Sequence, residues 1–273
     1  MKEIEFALKN FLLRILLLFN SAKKINSKIA LTKNSKVLFI RLNKLGDALV
    51  TTPLIKLIKE HTGCHISILA DAKNHVVLRV MEFAKVFNLN YDVEKINIHY
   101  HLSQKSLLNI LTFSENNFAN KFLCGINISA GSEARFWGVE RFKKVIKVLD
   151  KYDLQIVILS TENERRFAEV ITDDKYPIFT TPDFNSFAAM ISKLNFLFTP
   201  DTSIVHLASA YEIPMFGIYV KYNTENMIWS PFKSKFDCVI TEEANFKNLE
   251  FEQVEEKFKT FIEKIYEQRN TKL

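Results

Sequence analysis

Short apolar runs alternate with amphipathic segments along most of the chain from Lys36 onward. Runs such as 37–40 and 155–159 have the length and composition of buried strands. The segments between them repeat their apolar positions every three or four residues, which is the spacing of a helix with one buried face. Strands that alternate with helices at this pitch predict parallel sheets built from β-α-β units.

The pattern divides the chain into four parts. The predicted strands lie at 37–40, 66–69, 86–89, 94–98, 126–129, 155–159, 178–180, 196–199 and 214–219. The predicted helices lie at 53–60, 73–84, 103–118, 139–152, 164–171, 186–194 and 203–210. The series restarts near Gly125, which indicates two sheets in tandem. We therefore expect an N-terminal segment (1–35), a first α/β domain (36–122), a second α/β domain (123–248) and a C-terminal helix (249–273).

The C-terminal helix is predicted to be amphipathic. Its apolar residues recur at helical spacing and form one stripe, which indicates that the helix docks on the body of the protein. The stripe consists of Phe251, Val254, Phe258, Phe261, Ile262, Ile265 and Tyr266.

Composition places the chain among globular proteins. Its 273 residues are 48% hydrophobic and 25% charged, which excludes general disorder and leaves room for two domains. Cys64, Cys124 and Cys238 lie far apart, without CxxC or paired histidine spacing. They predict buried thiols in a reducing compartment, and neither a disulfide framework nor a zinc site.

The net charge of +6 is concentrated at the N-terminus. Residues 1–60 hold twelve Lys and Arg against four acidic residues, a local balance of +8. Such a segment suggests an anionic partner, either a membrane surface, lipid phosphates or nucleic acid. Nucleic acid is the least favoured, because no arginine-rich run or aromatic RNA-binding motif accompanies the charge.

The most apolar stretch, 11–19, has two interpretations. As a helix it would span roughly 14 Å of a bilayer core of ~30 Å, so it is too short to cross a membrane. It could lie at the interface, with nearby lysines and Arg14 facing anionic lipid. It could equally pack on the protein itself. The sequence does not choose between the two.

Three loops carry the candidate chemistry, each directly after a predicted strand. Ligands gather at the carboxyl ends of strands in open parallel sheets. The first loop, 41–47, ends in Gly46 and Asp47, and the carboxylate could accept a proton from an incoming hydroxyl or could cap a helix. The chain has no GxGxxG fingerprint of a dinucleotide site.

The second and third loops suggest a phosphate site. Loop 129–137 has small residues that let a ligand approach the backbone, and its Arg135 could hold a phosphate, whereas Trp137 fits a core position better. Loop 199–206 places three polar residues before a predicted helix, where N–H groups and the helix dipole favour an anion. A simple helix cap would look the same. A structural hydrogen bond is a better interpretation of His206 than catalysis.

Together the blocks around these loops resemble glycosyltransferase family 9, the bacterial heptosyltransferases of lipopolysaccharide core. Residues 37–47 with Thr51-Thr52-Pro53 are similar to the family's opening strand and Gly-Asp loop. Residues 128–142 are similar to its K-x-W-x-x-E-R-F segment, and 199–214 to its T-N-D-T-G-x-x-H-L-A-A-A block. The three blocks occur in the order and spacing of the family, and together they extend over most of residues 36–232.

The resemblance implies a GT-B fold, in which two Rossmann-like domains face each other across a cleft. It also implies an inverting, metal-independent transfer from a nucleotide-sugar, most typically ADP-heptose, to a lipid-linked saccharide, with no cofactor. Asp47 matches the general base, and Arg41 and Lys44 beside it are assigned to the acceptor. The donor residues implied are Ser129, Gly131, Arg135, Glu164 or Glu162 for the ribose, Asp201, Thr202, Ser203, His206 and Lys221.

Some positions depart from the family pattern. Arg135 stands where lysine is usual, and Ser203 replaces a glycine, so a positive φ there would be strained. Residues 220–224 replace a common G-P-T, and Lys221 could compensate near the phosphates. We therefore keep two alternatives, a hexosyltransferase for another surface glycan and a catalytically silent relative that binds glycan or nucleotide. The expected location is the cytoplasmic face of the inner membrane, as a peripheral protein.

Overall fold

A computed structural model describes residues 30–40, 50–69, 77, 81, 84, 89–118, 122–130, 135–220 and 230–270. None of the helices in these ranges combines the length and hydropathy needed to cross a membrane. Segment 1–29, with its two interpretations, lies outside the described residues, as do most of predicted helix 73–84 and strand 86–89.

The first part of the chain forms a parallel strand pair. β1 (Lys36–Ile40) and β2 (His65–Leu69) pair in register along all five residues. The crossover between them contains α1 (Thr52–Thr62), which has a proline in its first turn, where no N–H is required. Gly63 ends α1 in the left-handed region at φ 63°, and its N–H donates to the carbonyl of Lys59.

The second part is a six-stranded, fully parallel sheet. Its strands run in the spatial order β5-β4-β3-β6-β7-β8. They are β3 (Phe122–Asn127), β4 (Leu154–Leu159), β5 (Ile178–Phe179), β6 (Phe196–Pro200), β7 (Met215–Val220) and β8 (Phe236–Thr241). The chain thus builds outward from β3 in one direction and then from β6 in the other, which is the strand order of a Rossmann sheet.

Helices cover both faces of this sheet. They are α2 (Gln104–Asn117), α3 (Val139–Leu149), α4 (Arg165–Thr172), α5 (Phe184–Ile191), α6 (Ile204–Ala210) and α7 (Glu252–Asn270). Short 3₁₀ turns occupy Val93–Lys95 and Glu162–Glu164.

Alternation along the strands creates two cores, one on each face. Phe196 and Phe198 of β6 belong to the core under α3, α4 and α7, whereas Leu197 between them belongs to the core under α5 and α6. The second of these cores also includes Leu54 and Ile58 of α1. The strand pair and the six-stranded sheet are therefore joined by continuous apolar packing.

The C-terminal helix closes the first of these cores. Val254, Phe258, Ile262 and Ile265, from the predicted stripe, are buried in α7. The ring of Phe258 lies edge-on to that of Phe198 at 5.2 Å between centroids. Docking of this helix on the body of the protein follows from these contacts.

Two strand predictions are corrected. Residues 94–98 do not form a strand, because 93–95 make a 3₁₀ turn and 96–100 run without ladder pairing. β3 begins four residues before the predicted position, since Phe122–Cys124 are buried and pair with β4, and Cys124 also pairs with β6. The sequence pattern also missed β8, an edge strand that alternates poorly.

Candidate active site

A crevice is expected where β3 and β6 lie side by side. The connections that follow these two strands lead to opposite sides of the sheet, so their loops diverge at the carboxyl edge. Ligands of open parallel sheets bind at this topological switch point. The second and third candidate loops directly follow β3 and β6, which brings them to the same edge.

A buried amide fixes the two loops to each other. Asn127, at the end of β3, is fully buried. Its Nδ2 donates to the Oγ1 of Thr199 on β6 and to the carbonyl of Ser129, both at 3.0 Å. Its Oδ1 accepts from the Ser129 N–H at 3.2 Å. Sequence reasoning missed Asn127, although a polar residue inside the apolar run 122–128 was a usable signal.

Ser129 connects the crevice to the loop after β4. Its hydroxyl donates to Oε2 of Glu164 in a short hydrogen bond and accepts from the backbone N–H of Thr161 at 2.9 Å. The Thr161 hydroxyl donates to the same carboxylate oxygen at 2.8 Å. Glu164 is therefore held at the carboxyl ends of β3 and β4, with its carboxylate oriented by two hydroxyls.

Glu162 occupies a different place. Its Oε1 accepts from the hydroxyl of Thr180, after β5, at 2.7 Å, and lies 3.9 Å from a guanidinium nitrogen of Arg165. Since β5 is the edge strand of the sheet, Glu162 is one strand farther from the switch point than Glu164. The two candidate acids are thus separated by geometry, although they are only two residues apart in sequence.

Arg135 and Asp201 join the loops after β3 and β6. Nη1 of Arg135 donates to the main-chain carbonyl of Asp201 at 3.3 Å and lies 3.8 Å from its Oδ2. Asp201 is 4% exposed, so its carboxylate is buried beside a cation. The arrangement places a guanidinium and a carboxylate side by side where the loops after β3 and β6 meet.

The start of α6 is less strained than the family pattern suggested. Ser203 has φ −59° and ψ −17°, so serine replaces glycine there without entering the left-handed region. Thr202, rather than Ser203, caps the turn, because its hydroxyl accepts from the N–H of Ile204 at 3.2 Å. Both residues lie beside Asp201 at the carboxyl end of β6.

His206 lies one turn into α6 and is 5% exposed. Burial lowers the pKa of His206 from 6.5 to about 4, so the imidazole is neutral at physiological pH. Burial of this kind suits a structural position next to the crevice better than a solvent-exposed proton carrier.

Five assigned residues lie outside the described residues. They are Arg41, Lys44, Asp47, Gly131 and Lys221. Within the ranges that are described, no group of three or more His, Cys, Asp or Glu side chains is placed to hold a metal ion.

The comparisons with known proteins point to one family. Residues 65–259 match the model of glycosyltransferase family 9 (heptosyltransferase). No curated protein matches this chain by sequence.

Solved structures share the fold over most of the chain. A glycosyl transferase family 9 structure from Veillonella parvula DSM 2008 is 14% identical, with a TM-score of 0.65, covering 88% of this chain and 99% of its own. The E. coli heptosyltransferase WaaC with ADP is 14% identical, with a TM-score of 0.59, covering 85% and 100%. E. coli ADP-heptose lps heptosyltransferase II is 11% identical, with a TM-score of 0.60, covering 86% and 100%.

Proposed function

Because this chain belongs to glycosyltransferase family 9, a family of glycosyltransferases, we propose that it transfers heptose from ADP-heptose to a lipopolysaccharide or lipooligosaccharide core acceptor. The observation that carries the proposal is the meeting of Arg135, Asp201 and Glu164 around the β3–β6 switch point. A nucleoside diphosphate needs a cation for its phosphates and an acceptor for its ribose hydroxyls, and these residues supply both.

The donor half of the reaction follows from this arrangement. The departing ADP gathers negative charge on its diphosphate as the glycosidic bond breaks. The Arg135 guanidinium and the positive end of the α6 dipole would stabilise that charge in place of a metal ion. The Glu164 carboxylate, already oriented by Ser129 and Thr161, would accept hydrogen bonds from the ribose hydroxyls. Further donor contacts are assigned to Gly131, Thr202, Ser203, His206 and Lys221.

The acceptor half would use the loop that precedes α1. A hydroxyl nucleophile has to lose its proton as it attacks, and Asp47 is the proposed general base. Direct displacement by that hydroxyl inverts the anomeric centre in one step. Arg41 and Lys44 are assigned to the acceptor saccharide. This assignment treats residues 36–122 as the acceptor side and 123–248 as the donor side.

The proposed location is the cytoplasmic face of the inner membrane. The excess positive charge of residues 1–60 favours an anionic surface, and the proposed acceptor is anchored in lipid. The protein would bind there as a peripheral protein.

A thermal-shift screen followed by a transfer assay tests the proposal. ADP-heptose should raise the melting temperature more than UDP- or GDP-sugars do. ADP release from ADP-heptose should then depend on a lipooligosaccharide lacking core heptose. Preference for a UDP- or GDP-hexose would instead indicate the hexosyltransferase. Binding of ADP-heptose without any transfer would indicate the silent relative, and either result would reject the proposal.

A further inference from the structure

Residues 96–100, here called the strap, contact α1, α5 and the residues that follow α6. Ile96 and Ile98 are buried in the core that also contains Leu54 and Ile58 of α1. The backbone N–H of His99 donates to the hydroxyl of Thr52 at 2.8 Å. Thr52 is the first residue of α1 and lies five residues after Asp47 in sequence. One side of the strap therefore holds the start of α1.

The strap also contacts α5 and the residues that follow α6, which belong to the donor half. The Tyr100 hydroxyl donates to Oδ1 of Asn185 on α5 at 2.5 Å, and its ring lies edge-on to that of Phe184 at 5.5 Å. The Tyr211 hydroxyl donates to the carbonyl of Tyr100 at 3.3 Å. Nδ2 of Asn97 donates to Oε1 of Glu212 at 2.9 Å.

These contacts connect the strap to the crevice through α6. Tyr211 and Glu212 directly follow α6, whose opposite end begins next to Asp201, Thr202 and Ser203. Seven residues of helix span only about 10 Å. The strap thus contacts the residues after the C-terminus of α6, whose N-terminus borders the proposed diphosphate site. It also contacts the N-terminus of α1, on the acceptor side.

We propose that Tyr100 is a positioning residue for the transfer reaction, because it fixes α1 relative to α5 and α6 through the strap. The inference rests on the proposed function for the identity of the reaction. The Tyr100 hydroxyl makes its hydrogen bond near the surface, so loss of that one bond should change the stability of the fold only slightly. A small displacement of reacting groups has a much larger effect on rate, since a misplacement of about 1 Å can cost about 100-fold.

Tyr100→Phe removes only the hydroxyl and tests the proposal. We expect kcat for ADP release from ADP-heptose, with the heptose-deficient lipooligosaccharide, to fall roughly 5- to 50-fold. The KM for ADP-heptose and the Kd for ADP should change less than about twofold, since no donor-binding residue is altered. Asn185→Ala should reproduce the loss of kcat, and Asn185→Asp should restore most of it, because aspartate keeps an oxygen acceptor at that position.

Tyr176→Phe is the matched control. This tyrosine also donates its hydroxyl to a side-chain oxygen, that of Asp150, but at the end of the sheet opposite the crevice. The kcat of Tyr176→Phe should equal that of the unmodified protein. A kcat for Tyr100→Phe within about twofold of this control would overturn the proposal, and so would a parallel loss of ADP affinity.

A distance measurement keeps the inference independent of activity. Spin labels at Glu60→Cys on α1 and Lys193→Cys after α5, both exposed, report the separation of the two halves in a Cys238→Ser background. Tyr100→Phe should broaden the distance distribution, and Tyr176→Phe should not. Equal distributions would overturn the inference. Absence of transfer by the unmodified protein would reject the proposed function, while the distance measurement would still decide the role of the strap.

Discussion

At the scale of single residues, two carboxylates two positions apart have different surroundings. Glu164 is oriented by the hydroxyls of Ser129 and Thr161, whereas Glu162 faces Thr180 and Arg165. Glu164→Gln should weaken ADP binding by roughly 10- to 100-fold, because a hydrogen bond to a charged group contributes about 1.5–3 kcal/mol. Glu162→Gln is the matched control and should leave the calorimetric Kd unchanged. The reverse order of effects would assign the ribose to Glu162.

Arg135 provides a second residue-scale prediction. Arg135→Ala should weaken ADP binding by roughly 10- to 100-fold, as expected when charge-assisted hydrogen bonds to phosphate are lost. Arg135→Lys keeps the charge but not the planar guanidinium. Its affinity for ADP should therefore lie between those of the unmodified protein and Arg135→Ala. Calorimetry with all three proteins checks this order. Equal affinities would remove Arg135 from the diphosphate site.

His206 should make stability depend on pH. In the folded protein burial holds the pKa of His206 at about 4, against an ordinary value of 6.5. Between these values the unfolded chain binds a proton that the folded protein does not, so the free energy of unfolding falls as pH decreases from 6.5 to 4. The total loss should be about 3 kcal/mol.

Urea unfolding at several pH values measures this loss. His206→Gln cannot titrate and should show a correspondingly shallower decline over the same window. Identical pH dependence in both proteins would mean that His206 does not keep its neutral state on folding.

Sequence alone anticipated part of the residue-scale geometry. Arg135, Asp201 and Ser129 were assigned from loops that follow predicted strands, and the structure brings these loops together at one edge. How far Glu162 and Glu164 each lie from the switch point depends on the position of β5 relative to β3, which non-local pairing sets. Asn127 was missed, although its amide interrupts an apolar run, because its partners Ser129 and Thr199 are brought to it only by the fold.

At the scale of elements, Trp137 connects the loop after β3 to the segment before α7. Its indole N–H donates to the carbonyl of Leu249 at 2.7 Å, and its ring is stacked on Phe198 at 5.7 Å. The tryptophan is fully buried, so the core role preferred from sequence is confirmed.

Trp137→Phe should lower the free energy of unfolding. The variant leaves a buried carbonyl without its donor and opens a small cavity, which together cost about 2–5 kcal/mol. Urea denaturation measures the change, and ADP affinity at temperatures well below the melting transition should stay the same. A loss of ADP affinity without a loss of stability would place Trp137 in the donor site instead.

The predicted boundaries of helices and strands agree with the structure where the apolar residues are strongly periodic. Helices such as α3 and strands such as β7 lie within one to three residues of their predicted bounds. The strand predicted at 94–98 was wrong, because isoleucines that alternate with polar residues resemble a strand. Here Ile96 and Ile98 are buried in a segment that pairs with no strand. β8 was missed because Phe236 and Ile240 remain exposed at the sheet edge, so burial imposes no clear alternation.

At the scale of the whole molecule, the GT-B fold inferred from the family resemblance is confirmed by the solved structures that share it. The pattern of alternating strands and helices indicated parallel sheets, and both sheets are parallel. It did not reveal that α1 and the strap share a core with α5 and α6. The periodicity of a segment shows that it has an apolar face. It does not show which other apolar face packs against it, because that depends on the three-dimensional arrangement.

The N-terminal segment gives a prediction about the whole protein. Deletion of residues 1–30 removes six of the twelve basic residues of the region 1–60, from Lys2 to Lys28. If the segment is interfacial, the full chain should sediment with vesicles containing about 30% anionic lipid at low salt, and the truncated protein should remain in solution. Persistent sedimentation of the truncated protein would contradict the interfacial interpretation.

Asp47 is the proposed base from the first half of the chain, acting on a donor that binds in the second half, so its substitution separates catalysis from donor binding. ADP release from ADP-heptose in the presence of acceptor should be abolished by Asp47→Asn, while the calorimetric Kd for ADP should remain within about twofold of the unmodified protein. A fully active Asp47→Asn protein would show that Asp47 is not the base.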